Sequence, residues 1–106
     1  MKKIVTLLLI ITSLSISAQE EIEVKKQIVQ ASCGQCKFKM TGQGCDLAVR
    51  IEGKSYWVDG TTIDDHGDAH AEDGFCNVER QAHAKGEIKH GVFVLKSLEL
   101  LPYTKE

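Results

Sequence analysis

Residues 46–60 read DLAVRIEGKSYWVDG, and their alternation sets the fold class. Leu47, Val49 and Ile51 fall on one side of an extended segment, with polar Arg50 and Glu52 on the other. That period of two marks a half-buried strand. Gly53-Lys54 turns the chain, and Ser55-Tyr56-Trp57-Val58-Asp59 returns as a third strand. Working toward the N-terminus, Ile22, Val24 and Ile28 alternate with Glu23, Lys25 and Gln27, giving a first strand with one wet face. Val29 and Ala31 begin to fill the other face.

Working toward the C-terminus, residues 60–76 lose all periodicity, and 76–82 suit a short helix. Ala82 to Lys89 alternates weakly as a fourth strand. His90-Gly91 suits a hairpin turn, because glycine supplies the positive φ such turns need. Val92-Phe93-Val94-Leu95 and Leu98, Leu100 and Leu101 form a fifth strand, ended by Pro102. The chain is therefore expected to be mostly β. The order suits a small five-stranded OB-like barrel with a short helix or irregular crossing between strands 3 and 4. An open antiparallel sheet with a helix across it is the competing arrangement.

The first residues have a different character. Met1-Lys2-Lys3 precedes an uncharged run from Ile4 to Ile16, followed by Ser17-Ala18-Gln19-Glu20. A basic start, a short apolar stretch and small residues describe a secretory signal peptide, here 1–18, leaving one OB-like domain over 19–106. The run is too short to span a bilayer comfortably, so no stable membrane anchor is expected after cleavage. Loss of Lys2 and Lys3 reduces the 13 basic residues to 11, against 15 acidic ones. An acidic exported chain is a poor partner for nucleic acid, which needs clustered Lys and Arg. The expected location is periplasmic or secreted, where disulfides persist.

All four cysteines lie in the exported part: Cys33-x2-Cys36-x8-Cys45-x30-Cys76. His66 and His70 precede Cys76 within IDDHGDAHAEDGFC, residues 63–76, which also carries Asp64, Asp65, Asp68, Glu72 and Asp73. In an up-and-down sheet, the loops after strands one and three emerge at the same end. Cys33, Cys36 and Cys45 should therefore face His66, His70 and Cys76 across that end.

Three chemistries suit such a cluster. Zinc takes four nitrogen or sulfur ligands in a tetrahedron, and a C-x2-C pair grips one ion from a tight turn. Copper(I) suits thiolates equally, and the acidic residues would orient imidazoles from outside the ligand set. Alternatively, the four cysteines form disulfides that staple a small structural or ligand- and partner-binding domain. CGQC also has the form of a thiol oxidoreductase motif. The glycines at 42 and 44 follow too soon for the helix such enzymes use, and Pro102 is the only proline. Haem attachment needs a histidine where Lys37 stands. No catalytic residue is assigned, and a non-enzymatic metal-binding module is the leading expectation. Trp57 is expected to pack under a loop, with an exposed stacking platform as the other reading.

The segments CGQCKFKMTGQGCDLAV, GKSYWVDGT and DDHGDAHAEDGFC resemble a small exported bacterial family of unknown function, from about Ala31 to Leu101. The resemblance implies an OB-like β domain and no established activity. It groups Cys33, Cys36, Cys45, His66, His70 and Cys76 without assigning a role to any. Short sequences of this kind sometimes carry a glutaminyl-tRNA synthetase label. This chain is too short for that catalytic domain and shows no HIGH-type ATP-binding motif.

Overall fold

The computed structural model describes residues 21–104, so the signal peptide expected over 1–18 lies outside the described residues. Five strands are present: β1 (Glu21–Cys33), β2 (Leu47–Ile51), β3 (Lys54–Asp59), β4 (Arg80–Lys89) and β5 (Val92–Leu100). They close into one barrel in the order β1-β2-β3-β5-β4, with β4 returning to β1. β3 and β5 run parallel, and the other neighbouring pairs run antiparallel. The OB-like barrel is the arrangement adopted, rather than the open sheet.

β1 serves two neighbours. Its last residues, Gln30–Cys33, pair with β2, while Glu21–Ala31 pair with β4. A register shift between Val24 and Gln27 bends the strand and changes which parity faces inward. Val24 is buried before the shift, and Val29, Ala31 and Cys33 are buried after it. Ile28, which simple alternation puts on the Val24 face, is instead 54% exposed. The expectation that Ile22 and Ile28 share the inward face of Val24 is corrected accordingly, whereas Val29 and Ala31 fill the other parity as expected.

Two hairpin turns use consecutive residues with positive φ: Glu52 and Gly53 (52° and 82°), and His90 and Gly91 (54° and 80°). That backbone twist matches the twist of the strands it joins. The first turn lies one residue earlier than expected, and Lys54 opens β3.

The crossing from β3 to β4 is irregular, with a single 3-10 turn at Ile63–His66. No helix forms over 76–82, and β4 begins at Arg80 rather than Ala82. The reason is competition for backbone groups. The backbone groups of residues 80–82 are committed to the ladder with β1, where Arg80 and Gln81 pair with Ala31 and Gln30. Ala82 pairs instead with Val29 and Leu100.

The interior is filled by Phe93 and Val49, both fully buried, together with Val24, Val29, Leu47, Ile63, Phe75 and Ile88. Close approach depends on small residues. A Cβ on Gly86 would overlap the Val94 carbonyl and stand 2.9 Å from the Phe93 ring, so glycine at this β4 irregularity lets Phe93 enter the core. No helix among the described residues is long and apolar enough to cross a membrane.

Candidate metal centre

Cys33 is the last residue of β1 and is fully buried. The chain then makes one helical turn, α1 (Gly34–Lys37), with Cys33 as its N-cap. The Cys36 backbone N–H donates to Cys33 Sγ at 3.4 Å. Such a donor stabilises sulfur in its charged form. The turn is crowded from one side by Trp57 of β3: a Cβ on Gly34 would lie 2.5 Å from the indole Cζ3 and 2.9 Å from Met40 Sδ. Trp57 therefore packs on the cysteine turn, as its loop-packing reading expects.

Cys45 is brought back over this turn by Gln35. The Gln35 amide donates to Asp46 Oδ2 at 2.8 Å and to the Gln43 carbonyl at 3.3 Å, while its oxygen accepts from the Asp46 N–H at 2.9 Å. Gly34 N–H adds a bond to the Asp46 carbonyl at 2.8 Å. Phe38 closes the loop beneath the Arg50 guanidinium, 4.2 Å from the ring centroid.

Cys76 arrives from the β3–β4 crossing. The Phe75 carbonyl accepts from the Cys33 N–H at 3.0 Å and lies 2.6 Å from the buried Ser32 hydroxyl. Cys76 itself donates its N–H to the Ala69 carbonyl at 2.9 Å. A side chain on Gly74 would overlap the carbonyls of Asp68 and Ala69, so the segment can fold this tightly only with glycine there.

The result is a set of four sulfurs, from Cys33, Cys36, Cys45 and Cys76, all within 4.8 Å of one another. Cys45 is central, with its Sγ 2.6 Å from that of Cys33 and 2.8 Å from that of Cys76. All four are free thiols. A tetrahedral zinc–thiolate centre, with bonds of about 2.3 Å, has sulfurs about 3.8 Å apart. The two Cys45 contacts must each open by about 1 Å to reach that geometry.

The electrostatics suit a cation. Burial opposes ionisation of Cys33, but the Cys45 thiol and the Cys36 N–H that point at its sulfur hold its pKa below the ordinary value. Cys36 is pushed up by the Cys33 sulfur beside it. Cys45 is pushed far up by burial and by the sulfurs of Cys33 and Cys76. Four thiolates cannot coexist at this spacing unaided, and a bound cation removes that obstacle as it displaces their protons.

The expected end-to-end meeting of the two loops is present, but the histidines stand outside the sulfur set. His66 Nε2 lies 2.9 Å from Thr61 Oγ1, and its ring meets Phe75 edge-on at 6.0 Å beside a cavity of about 150 Å³. His70 is exposed, and its backbone is held by Asp68 and Asn77. Asp65 accepts from the Thr62 N–H and the Thr61 hydroxyl, which hold its carboxyl below the usual range. That acidic group caps the 3-10 turn.

Ser32, Gln35 and Asp46 were not singled out by sequence reasoning. Polar residues beside glycine-flanked cysteines are the one hint of them, since a pairing eleven residues apart leaves no periodic trace.

A family model matches residues 27–101, which span the barrel and all four cysteines. The chain belongs to the DUF6370 family. It is described as a family of unknown function. Comparisons with curated proteins and with solved structures find no match. Within this DUF6370 domain, the sulfur cluster is the concentration of metal-ligating groups found among the described residues.

Proposed function

We propose that this chain is an exported, non-enzymatic metal-binding module in which Cys33, Cys36, Cys45 and Cys76 hold one zinc or copper(I) ion. The observation that carries the reading is the approach of four Sγ atoms to within 4.8 Å, brought together from the two loops. An all-sulfur donor set favours soft or borderline ions over calcium or magnesium. Four protein ligands leave no open position for substrate, which argues for binding rather than catalysis. The signal-like residues 1–18 support export to the periplasm or beyond.

The sulfur chemistry also weighs against an oxidoreductase. An attacking thiolate needs a low pKa and access to its substrate. Here Cys33 has the lowered pKa but is fully buried, whereas Cys36 is exposed with its pKa raised.

A second reading is a disulfide-stapled module, favoured by the contacts of Cys45 with Cys33 and Cys76 and by export to an oxidising compartment. Intact mass of the protein from the periplasm, native and denatured, with and without alkylation, separates the two when joined to elemental analysis. One ion per chain and four alkylatable thiols support the metal centre. Loss of hydrogen with no ion supports the staple and ends the metal reading.

A further inference from the structure

The four sulfurs are unequal in their access to solvent. Cys33 is fully buried, Cys45 and Cys76 are half-buried, and Cys36 is exposed on the outer side of the α1 turn. Among the three less exposed sulfurs, Cys45 lies between Cys33 and Cys76 and touches both. They are tied into the barrel by the Cys33–Phe75 bond, the Gln35–Asp46 pair and the Cys76–Ala69 bond. Cys36 offers its sulfur from a single four-residue turn.

From this asymmetry we propose that the metal centre is an exchange site. Cys33, Cys45 and Cys76 form a retaining cradle, and Cys36 is the ligand displaced when a thiol-bearing acceptor takes the ion. The inference rests on the metal-binding reading above and adds a partner chemistry to it. In the step, an acceptor sulfur bonds to the ion as the Cys36–metal bond breaks, and the acceptor's proton passes to Cys36. The ion keeps its oxidation state, so neither oxidant nor reductant is required. A buried, closed thiolate centre would give an incoming sulfur no such approach; a solvent-facing ligand provides it.

The test uses the full exported chain loaded with zinc. A timed pulse of iodoacetamide, read by peptide mass mapping and native mass, should label Cys36 at least about tenfold faster than the other three, because zinc holds all four as thiolates and access then sets the rate. The singly labelled species should still carry one zinc. Cys36→Ser should keep one zinc per chain and release it faster to dithiothreitol, read with a chromogenic chelator, since water is a weaker fourth ligand than thiolate. Cys45→Ser should lose stoichiometric zinc.

Zinc retained by the wild-type chain, with all four cysteines labelled together or Cys36 labelled no faster, overturns the exchange site and leaves the metal centre standing. So does unchanged release from Cys36→Ser. Absence of stoichiometric zinc from the wild-type chain overturns both.

Discussion

The six-membered ring of Trp57 occupies the space that a side chain on Gly34 would need, with the indole Cζ3 2.5 Å from that Cβ position. A residue of β3 thereby shapes the turn that carries two of the four cysteines. Gly34→Ala must push the indole or the turn aside. The expected cost is about 1–3 kcal/mol of stability, the range for overpacking, with weaker zinc binding. Denaturant midpoints and metal titration read both. Pairing it with Trp57→Leu should recover part of the loss, because the two residues are in contact.

Cys45 touches two of the other sulfurs, so its loss breaks the set at its centre. Cys45→Ser should abolish stoichiometric metal. The double variant His66→Ala, His70→Ala should keep one ion per chain, because both imidazoles lie outside the sulfur group. Elemental analysis of the two proteins side by side decides the ligand set. Metal lost from the histidine variant would restore His66 or His70 to it.

Ser32 is fully buried, with its hydroxyl within reach of the Phe75 and Val78 carbonyls. Ser32→Ala leaves the Val78 carbonyl without that donor, while Phe75 keeps the Cys33 N–H. A stability loss of about 0.5–1.5 kcal/mol follows, the net worth of a typical hydrogen bond, because the Val78 carbonyl is only half-buried. Because this clamp also seats Cys76, zinc affinity should fall with it. Unchanged affinity in the folded variant would mean that Cys76 is positioned by its Ala69 bond instead.

The pH dependence of the metal-free chain should have two limbs. Cys33 has a lowered pKa, so the unfolded state holds more protons below the ordinary thiol value of 9.0, and stability rises toward that value. Cys45 and Cys36 have raised values, so above 9.0 the folded state retains protons that the unfolded state loses, and stability falls. A loaded centre has already surrendered these protons, and its affinity should increase with pH. Thermal melts across pH 7 to 10, with and without a chelator, compare the two forms; a falling limb above 9.0 in the loaded protein contradicts the scheme.

Strand order and the meeting of the two cysteine loops could be read from alternation in Leu47–Ile51 and from the glycine turns, because both are local signals. The inward parity of β1 could not. A single extra residue near Lys25 reverses it, and alternation on each side still looks intact. The missing helix over 76–82 reflects the pairing of residues 80–82 with β1, a strand about fifty positions earlier. The histidines looked like ligands because they share a short segment with Cys76. What separates them is the tight return at Gly74 and the hold of Asn77 on the His70 and Ala71 carbonyls. Such contacts exist only once the chain has folded.

Pairing of β4 with β1 completes the ring, so every one of the five strands has a neighbour on each side. An open sheet would present a row of bare amides and carbonyls on which a second chain could lay a strand. Closure removes that edge where residues 30–33 meet β2 and where residues 57–59 meet 92–94, and leaves it along residues 21–29 and 95–100. The closure is made by the strands alone, so this protection against strand stacking should persist when the sulfur centre is empty.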